Sequence, residues 1–128
     1  MMRREKEETG TCGELDELRK LVHSFVNERD WGKFHTPKNL ATALSVEASE
    51  LLEPFQWLET GAAGELGALK LTAVRHEMAD VLIYLICLAD KLEVDLIQAA
   101  TEKIAINKAK YPVEKVRGSA QKYSDYKE

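Results

Sequence analysis

The sequence predicts an all-α protein, and three observations support that fold class. Apolar residues recur at helical spacing through most of the 128 residues. No stretch alternates apolar and polar residues for long enough to indicate a β-strand. Helix-capping patterns such as Thr36-Pro37 stand where apolar stretches begin. We therefore expect a four-helix bundle, assembled as a homo-oligomer.

The composition fits one small domain and excludes several classes of partner. The chain has 18 Lys and Arg against 22 Asp and Glu, for a net charge of −4. Binding to nucleic acid or to an anionic membrane depends on a basic surface, so neither partner is expected. The longest apolar run, residues 81–89, is well short of the ~20 residues that span a bilayer as a helix. With only Cys12 and Cys87 and no export signal, a cytoplasmic location is expected.

The first two helices have distinct sequence signals. The first is expected over residues 14–30, where Leu15, Leu18 and Leu21 begin a helical stripe. The second opens at Thr36-Pro37, since proline lacks an N–H that the first helical position does not need. Pro54 must end or kink this second helix, because its ring crowds the preceding turn.

Glycine marks the boundary before the third helix. Residues 60–67 contain three glycines and are expected to form a loop, with a helix following over residues 68–92. The second half of that helix is apolar almost all round. This pattern predicts burial on every side, either within a bundle or between subunits.

Asp95 is predicted to cap a fourth helix that ends near Tyr111-Pro112. The residues beyond it are polar and of mixed charge. We therefore divide the chain into a flexible N-terminal segment at 1–13, a helical catalytic domain at 14–112 and a polar tail at 113–128.

Two pairs of acidic residues carry the main chemical signal. Glu47 and Glu50 are three apart on the second helix, and Glu77 and Asp80 are three apart on the third. Residues at this spacing lie on one side of a helix, so four carboxylates converge if the two helices pack antiparallel. Oxygen ligands of this kind select Mg²⁺ or Mn²⁺. For either pair alone, a solvated acidic face is the simpler interpretation. A di-iron site is disfavoured, because no histidine follows a glutamate by three positions.

Aromatic residues cluster around the second helix. Trp31, Phe34 and His35 lie in the short connection before it, and Trp57 follows it. Aromatic side chains in such a connection usually close the end of a bundle. They could instead stack on a flat ligand such as a nucleobase.

A polar stripe, Lys103, Asn107 and Lys110, lies on one face of the fourth helix. Cations near a helix C-terminus are favoured by the helix dipole, which explains Lys110. Lysine and asparagine one turn apart would also suit phosphate oxygens.

The acidic pairs resemble the metal-binding signature of the MazG-like superfamily of all-α nucleoside triphosphate pyrophosphatases. Several further stretches look most like the dCTP pyrophosphatases of that superfamily, and the resemblance covers about residues 14–112. These stretches are Glu28-Arg29-Asp30-Trp31, Phe34-His35-x-Pro37-x-Asn39-Leu40, Phe55-Gln56-Trp57, Asp80-Val81-Leu82-Ile83-Tyr84-Leu85, Val94-Asp95-Leu96 and Tyr111-Pro112.

The resemblance implies a set of site residues. Mg²⁺, or Mn²⁺ as a substitute, would be held by Glu47, Glu50, Glu77 and Asp80. Glu47 and Glu50 are the expected catalytic residues, and Glu50 would orient or deprotonate the attacking water. The expected substrate-binding residues are His23, Trp31, Phe34, His35, Trp57, Tyr84, Lys103 and Asn107. A homotetramer with pockets built by more than one subunit is also implied.

The expected activity is conversion of a deoxynucleoside triphosphate to the monophosphate and pyrophosphate, in nucleotide-pool sanitation. The resemblance points to dCTP or a modified dCTP as the substrate. Two alternatives stay open, namely the same chemistry on dUTP or a broad range of non-standard nucleotides, and a non-catalytic helical oligomerisation module.

Overall fold

A computed structural model describes residues 10–120. In this part of the chain all regular structure is helical, as predicted, with no strand. The segment at 1–13 was expected to precede the first helix, but α1 (Gly10–Glu28) already includes residues 10–13. The rest of that segment, and residues 121–128 of the expected tail, lie outside the described residues. The chain divides into two compact units, the first ending at Val94 and the second beginning at Asp95.

Three helices build the first unit. These are α1, α2 (Pro37–Leu52) and α3 (Ala63–Leu92), and short 3-10 helices at Gly32–Phe34 and Glu53–Phe55 follow α1 and α2. The longest helix, α3, packs against both α1 and α2. The buried apolar side chains of the described residues all belong to this unit: Val22, Leu40, Leu66, Val74, Ile86, Cys87 and Ala89.

The predicted boundaries of α2 are confirmed. The Thr36 hydroxyl accepts a hydrogen bond from the backbone N–H of Asn39 at 3.2 Å, which caps the helix, and Pro37 is its first residue. The helix ends at Leu52, and Pro54 lies inside the 3-10 helix that follows. Proline thus ends α2 one turn after Glu50, as expected.

The predicted loop at 60–67 is wrong in part, because α3 begins at Ala63 rather than at residue 68. The Glu65 carboxylate accepts hydrogen bonds from the backbone N–H groups of Thr60 and Gly61, which order the approach to the helix. Gly67 has φ 77°, outside helical geometry, and marks a kink. Glycine therefore produces a bend inside a helix, where the sequence suggested a loop.

The apolar second half of α3 is covered only in part by the rest of the described chain. Ile86 and Cys87 are buried, but Met78 is 57% exposed and Leu82 is 40% exposed. Burial on every side was predicted and is not achieved by residues 10–120 of a single chain. Burial between subunits stays a prediction.

The second unit contains α4 (Leu96–Lys110) and a short helix, α5 (Val113–Val116). The Asp95 carboxylate accepts a hydrogen bond from the backbone N–H of Gln98 at 3.0 Å, which confirms the predicted cap. The helix ends next to Tyr111, as expected, and the first residues of the predicted tail form α5.

Candidate functional site

Three acidic side chains from α2 and α3 meet in the first unit. Glu47 comes from α2, and Glu77 and Asp80 come from α3. Each offers a carboxylate oxygen within 4.8 Å of the others. The i, i+3 spacing places the last two on one side of α3, and packing of α2 on α3 supplies the third. Three of the four predicted metal ligands therefore converge.

Burial makes this cluster costly without a cation. The Oε2 atoms of Glu47 and Glu77 are buried and have no hydrogen-bond partner. Burial, followed by the nearby carboxyl groups of Glu50, Glu77 and Asp80, raises the pKa of Glu47 from 4.5 to about 7. Without a cation, burial and the neighbouring carboxyl groups thus disfavour the ionised form of Glu47.

The donor set fits a hard divalent cation. All of the converging ligands are carboxylate oxygens, which suit Mg²⁺ and Mn²⁺ better than zinc or copper. A cation at this point would give the two orphaned oxygens the partner they lack.

Two predicted site residues adjoin this cluster. Glu50 lies one turn beyond Glu47 on α2 and contributes to raising the Glu47 pKa. Tyr84 lies one turn beyond Asp80 on α3, and its pKa is raised first by burial and then by the charges of Glu47 and Asp80. Both side chains therefore belong to the surroundings of the acidic cluster.

A separate cavity of about 290 Å³ lies in the same unit, close to the lower end of the range of ligand pockets. It collects residues from the second half of α1, the connection after it and the last turns of α3. His23 and His35, both predicted to contact substrate, line it. Cys87 lines it from α3, three positions after Tyr84 on the same helix.

A chain of polar contacts crosses one side of this cavity. Arg19 donates hydrogen bonds to Asp16 and, at 3.2 Å, to Asp90. Asp90 lies 3.3 Å from Nδ1 of His23, and Nε2 of His23 lies 3.1 Å from the amide nitrogen of Asn27. These contacts join four side chains of α1 and one of α3, each to the next.

The predicted aromatic residues differ in their contacts and in their exposure. The Trp31 ring meets that of Phe25 edge to face at 5.5 Å, and the Arg29 guanidinium lies 3.8 Å from the centre of the Phe25 ring. Phe34 and Trp57 are 60% and 88% exposed. Trp31, Phe34 and Trp57 are not among the residues that line the cavity.

Lys103 and Asn107 lie on α4, in the second unit. Lys103 is exposed and Asn107 is half-buried. The backbone carbonyl of Asn107 accepts a hydrogen bond from Tyr111 at the end of the helix. Their role at the triphosphate remains a prediction.

Comparison with known proteins agrees with this combination of helices and acids. The sequence profile of the MazG-like family matches residues 42–126, which include both acidic pairs. The chain belongs to the MazG-like family.

Within residues 10–120, none of the helices combines the length and the apolar character that a membrane-spanning helix needs.

Among curated relatives of this MazG-like protein are dCTP pyrophosphatase 1 from Homo sapiens, 42% identical, and from Mus musculus, 44% identical. Each alignment covers 113 residues, which are 87% of this chain and 66% of the relative. The chain thus spans just under two thirds of their length. A crystal structure of a pyrophosphatase from Archaeoglobus fulgidus is 42% identical, with a TM-score of 0.72 over 77% of this chain and 93% of that one.

Of the residues that link α1 to α3 beside the cavity, sequence reasoning predicted His23 and missed Arg19, Asn27 and Asp90. Asp90 interrupts the apolar end of α3, and a charge in such a run is a signal that it has a specific partner. His23 and Asn27 stand four apart on α1, a spacing at which side chains meet. Neither signal indicates that α1 and α3 bring these groups together.

Proposed function

We propose that this protein is a Mg²⁺-dependent nucleoside triphosphate pyrophosphohydrolase that acts on dCTP or a modified dCTP. The observation that carries the proposal is the pair of buried, unpartnered oxygens on Glu47 and Glu77 beside Asp80. The dCTP pyrophosphatases among the relatives support the choice of substrate.

The proposal gives each acidic residue a role that its position supports. Glu47, Glu77 and Asp80 would hold the cation, and Glu50 would complete the set from the next turn of α2. When bound, the cation would supply positive charge for the triphosphate oxygens and for the charge that develops in the reaction. Glu50 orients the attacking water and accepts its proton. Water adds to the α-phosphorus, the bond to the bridging oxygen breaks, and the monophosphate and pyrophosphate separate.

A panel of nucleoside triphosphates with Mg²⁺ tests the activity. We expect monophosphate and pyrophosphate, with dCTP or a cytosine-modified analogue turned over most efficiently. Protein carrying Glu50→Gln, purified in parallel, controls for contaminating hydrolases. Release of diphosphate and phosphate, or no turnover of any nucleotide, would contradict the proposal. Preference for dUTP would keep the chemistry and change the substrate.

We propose further that the protein is a homotetramer. Several large apolar side chains of the first unit are exposed in the single chain, including Leu21 at 69% and Met78 at 57%. Exposed apolar surface of this kind is typical of interfaces. Sedimentation equilibrium should give four times the chain mass of 14.5 kDa, and a monomer at micromolar concentration would contradict the assembly.

A further inference from the structure

The cavity between α1 and α3 contains a hydrogen-bond relay whose direction depends on the tautomer of His23. The carboxylate of Asp90 can only accept, so the ring nitrogen that faces it, Nδ1 of His23, carries the hydrogen. In the neutral ring the other nitrogen, Nε2, is then an acceptor. Asn27 meets that acceptor with its amide nitrogen at 3.1 Å.

This relay orients the Asn27 amide. Its NH₂ end is directed to His23, which leaves the carbonyl oxygen Oδ1 as the end that a ligand can use. Arg19 holds Asp90 from the other side, at 3.2 Å, so the start of the relay is anchored. Asn27 also lines the cavity, and Oδ1 is the acceptor of its side chain that is left for a ligand.

The position of the cavity suits the base of a nucleotide whose phosphates lie at the acidic cluster. Asp80 of the cluster and Cys87 of the cavity wall are both on α3, roughly 10 Å apart along the axis at about 1.5 Å per residue. Tyr84 lies between them on the same helix. One nucleotide can bridge this separation.

We infer that Asn27, oriented by His23 and Asp90, selects bases that carry an exocyclic amino group. This inference deepens the proposed function and rests on it for the identity of the ligand. Cytosine presents an amino group as a donor where uracil presents a carbonyl acceptor. The Asn27 oxygen would accept a hydrogen bond from the amino group of cytosine and would repel the carbonyl oxygen of uracil. Asn27 is thus a specificity-determining residue, and His23 and Asp90 are positioning residues.

Binding of two monophosphates, dCMP and dUMP, tests the inference without requiring hydrolysis. Calorimetric titration of the full chain should show tighter binding of dCMP. Asn27→Ala should lower the dCMP-to-dUMP preference about tenfold, the value of one hydrogen bond, mainly by weakening dCMP. Asp90→Ala should lower the preference in the same direction, because the His23 ring is no longer held.

The control is Ser24→Ala, an exposed position next to His23 on α1. It should bind both nucleotides as the unchanged protein does, and thermal melts should show that all variants fold. Equal binding of the two monophosphates, no binding of either, or a preference that survives Asn27→Ala would overturn the inference. Selective binding of dCMP without turnover of dCTP would uphold it and contradict the proposed hydrolysis instead.

Discussion

Glu47 of α2 and Glu77 of α3 each have a buried carboxylate oxygen without a hydrogen-bond partner, in a cluster that Asp80 completes. Such groups are costly in the interior of a protein unless they are paired. Here these groups lie where α2 packs against α3, which is the most extensive helix contact in the first unit, so they should destabilise that packing. Stability, metal binding and catalysis should therefore all respond to changes in these three residues.

A divalent cation should stabilise the fold. At about 100 times its dissociation constant, Mg²⁺ or Mn²⁺ should raise the free energy of unfolding by about 2.7 kcal/mol, because the cation binds only the folded protein. Removing a residue that only hydrogen-bonds to a metal ligand typically lowers metal affinity roughly 10- to 100-fold. Glu77→Gln replaces a proposed ligand itself, so it should weaken cation binding by more than that.

Calorimetric titration and thermal melts with and without Mg²⁺ provide the measurement. Glu53→Gln is a matched control, since this exposed glutamate lies one residue beyond α2 and outside the cluster. Loss of binding with Glu53→Gln, or retention with Glu77→Gln, would place the cation elsewhere.

Glu50 and Asp80 should be needed for activity, although the protein should still fold when either is replaced by its amide. Glu50→Gln should lower kcat about 100-fold or more, which is the contribution typical of a general base. Asp80→Asn should remove nearly all turnover by removing a cation ligand. Both variants should melt cooperatively, because each replacement keeps the size of the side chain. Pyrophosphate release and circular dichroism measure the two properties, and wild-type turnover by either variant would show that the four-acid site is wrong.

The pH dependence of the metal-free protein has a definite sign. The pKa of Glu47 is raised from 4.5 to about 7, so between these values the folded state holds more protons than the unfolded state. The free energy of unfolding should therefore fall as pH rises from 4.5 to about 7, through this group. Because a cation binds the ionised carboxylate, its affinity should rise over the same interval and level off above pH 7.

Urea denaturation in chelator from pH 5 to 8, with Mg²⁺ titrations at the same pH values, checks both trends. Glu47→Gln should remove this part of the slope. Glu65 is a useful comparison, since hydrogen bonds from Gly61 and Thr60 lower its pKa and give its contribution the opposite sign. Glu65→Gln should leave the slope from Glu47 in place. If the free energy of unfolding of the metal-free protein rose steadily from pH 5 to 7, both in the unchanged protein and in Glu65→Gln, the raised pKa of Glu47 would be contradicted.

Local signals in the sequence predicted more of this protein than long-range ones. Thr36 and Asp95 cap their helices as expected, because a cap depends only on residues three positions away. Glu77 and Asp80 share a side of α3 for the same reason. The start of α3 was not predicted. The Glu65 carboxylate orders the glycine-containing segment before it, and a single hydrogen bond of this kind leaves no periodic pattern in the sequence.

Contacts between distant residues needed the structure. His23 and Asp90 are 67 positions apart, and Arg19 and Asp90 are 71 apart. Single polar residues carry no periodicity, so their pairing depends on how α1 packs against α3. The acidic cluster was predictable only because each of its two helices carries a pair of acidic residues three positions apart. The residues that line the cavity do not include such a pair on each helix.

Core packing at the start of α2 should dominate the stability of the first unit. Leu40 is 1% exposed, and Leu40→Ala should lower the free energy of unfolding by about 2–5 kcal/mol, from lost burial and the space left behind. Leu52→Ala is the matched control on the same helix, where the side chain is 61% exposed and the loss should be much smaller in a single chain. Urea denaturation measures both. A loss below 1 kcal/mol at Leu40 would contradict the core as described. A large, concentration-dependent loss at Leu52 would show that this face of α2 is covered by another copy of the chain.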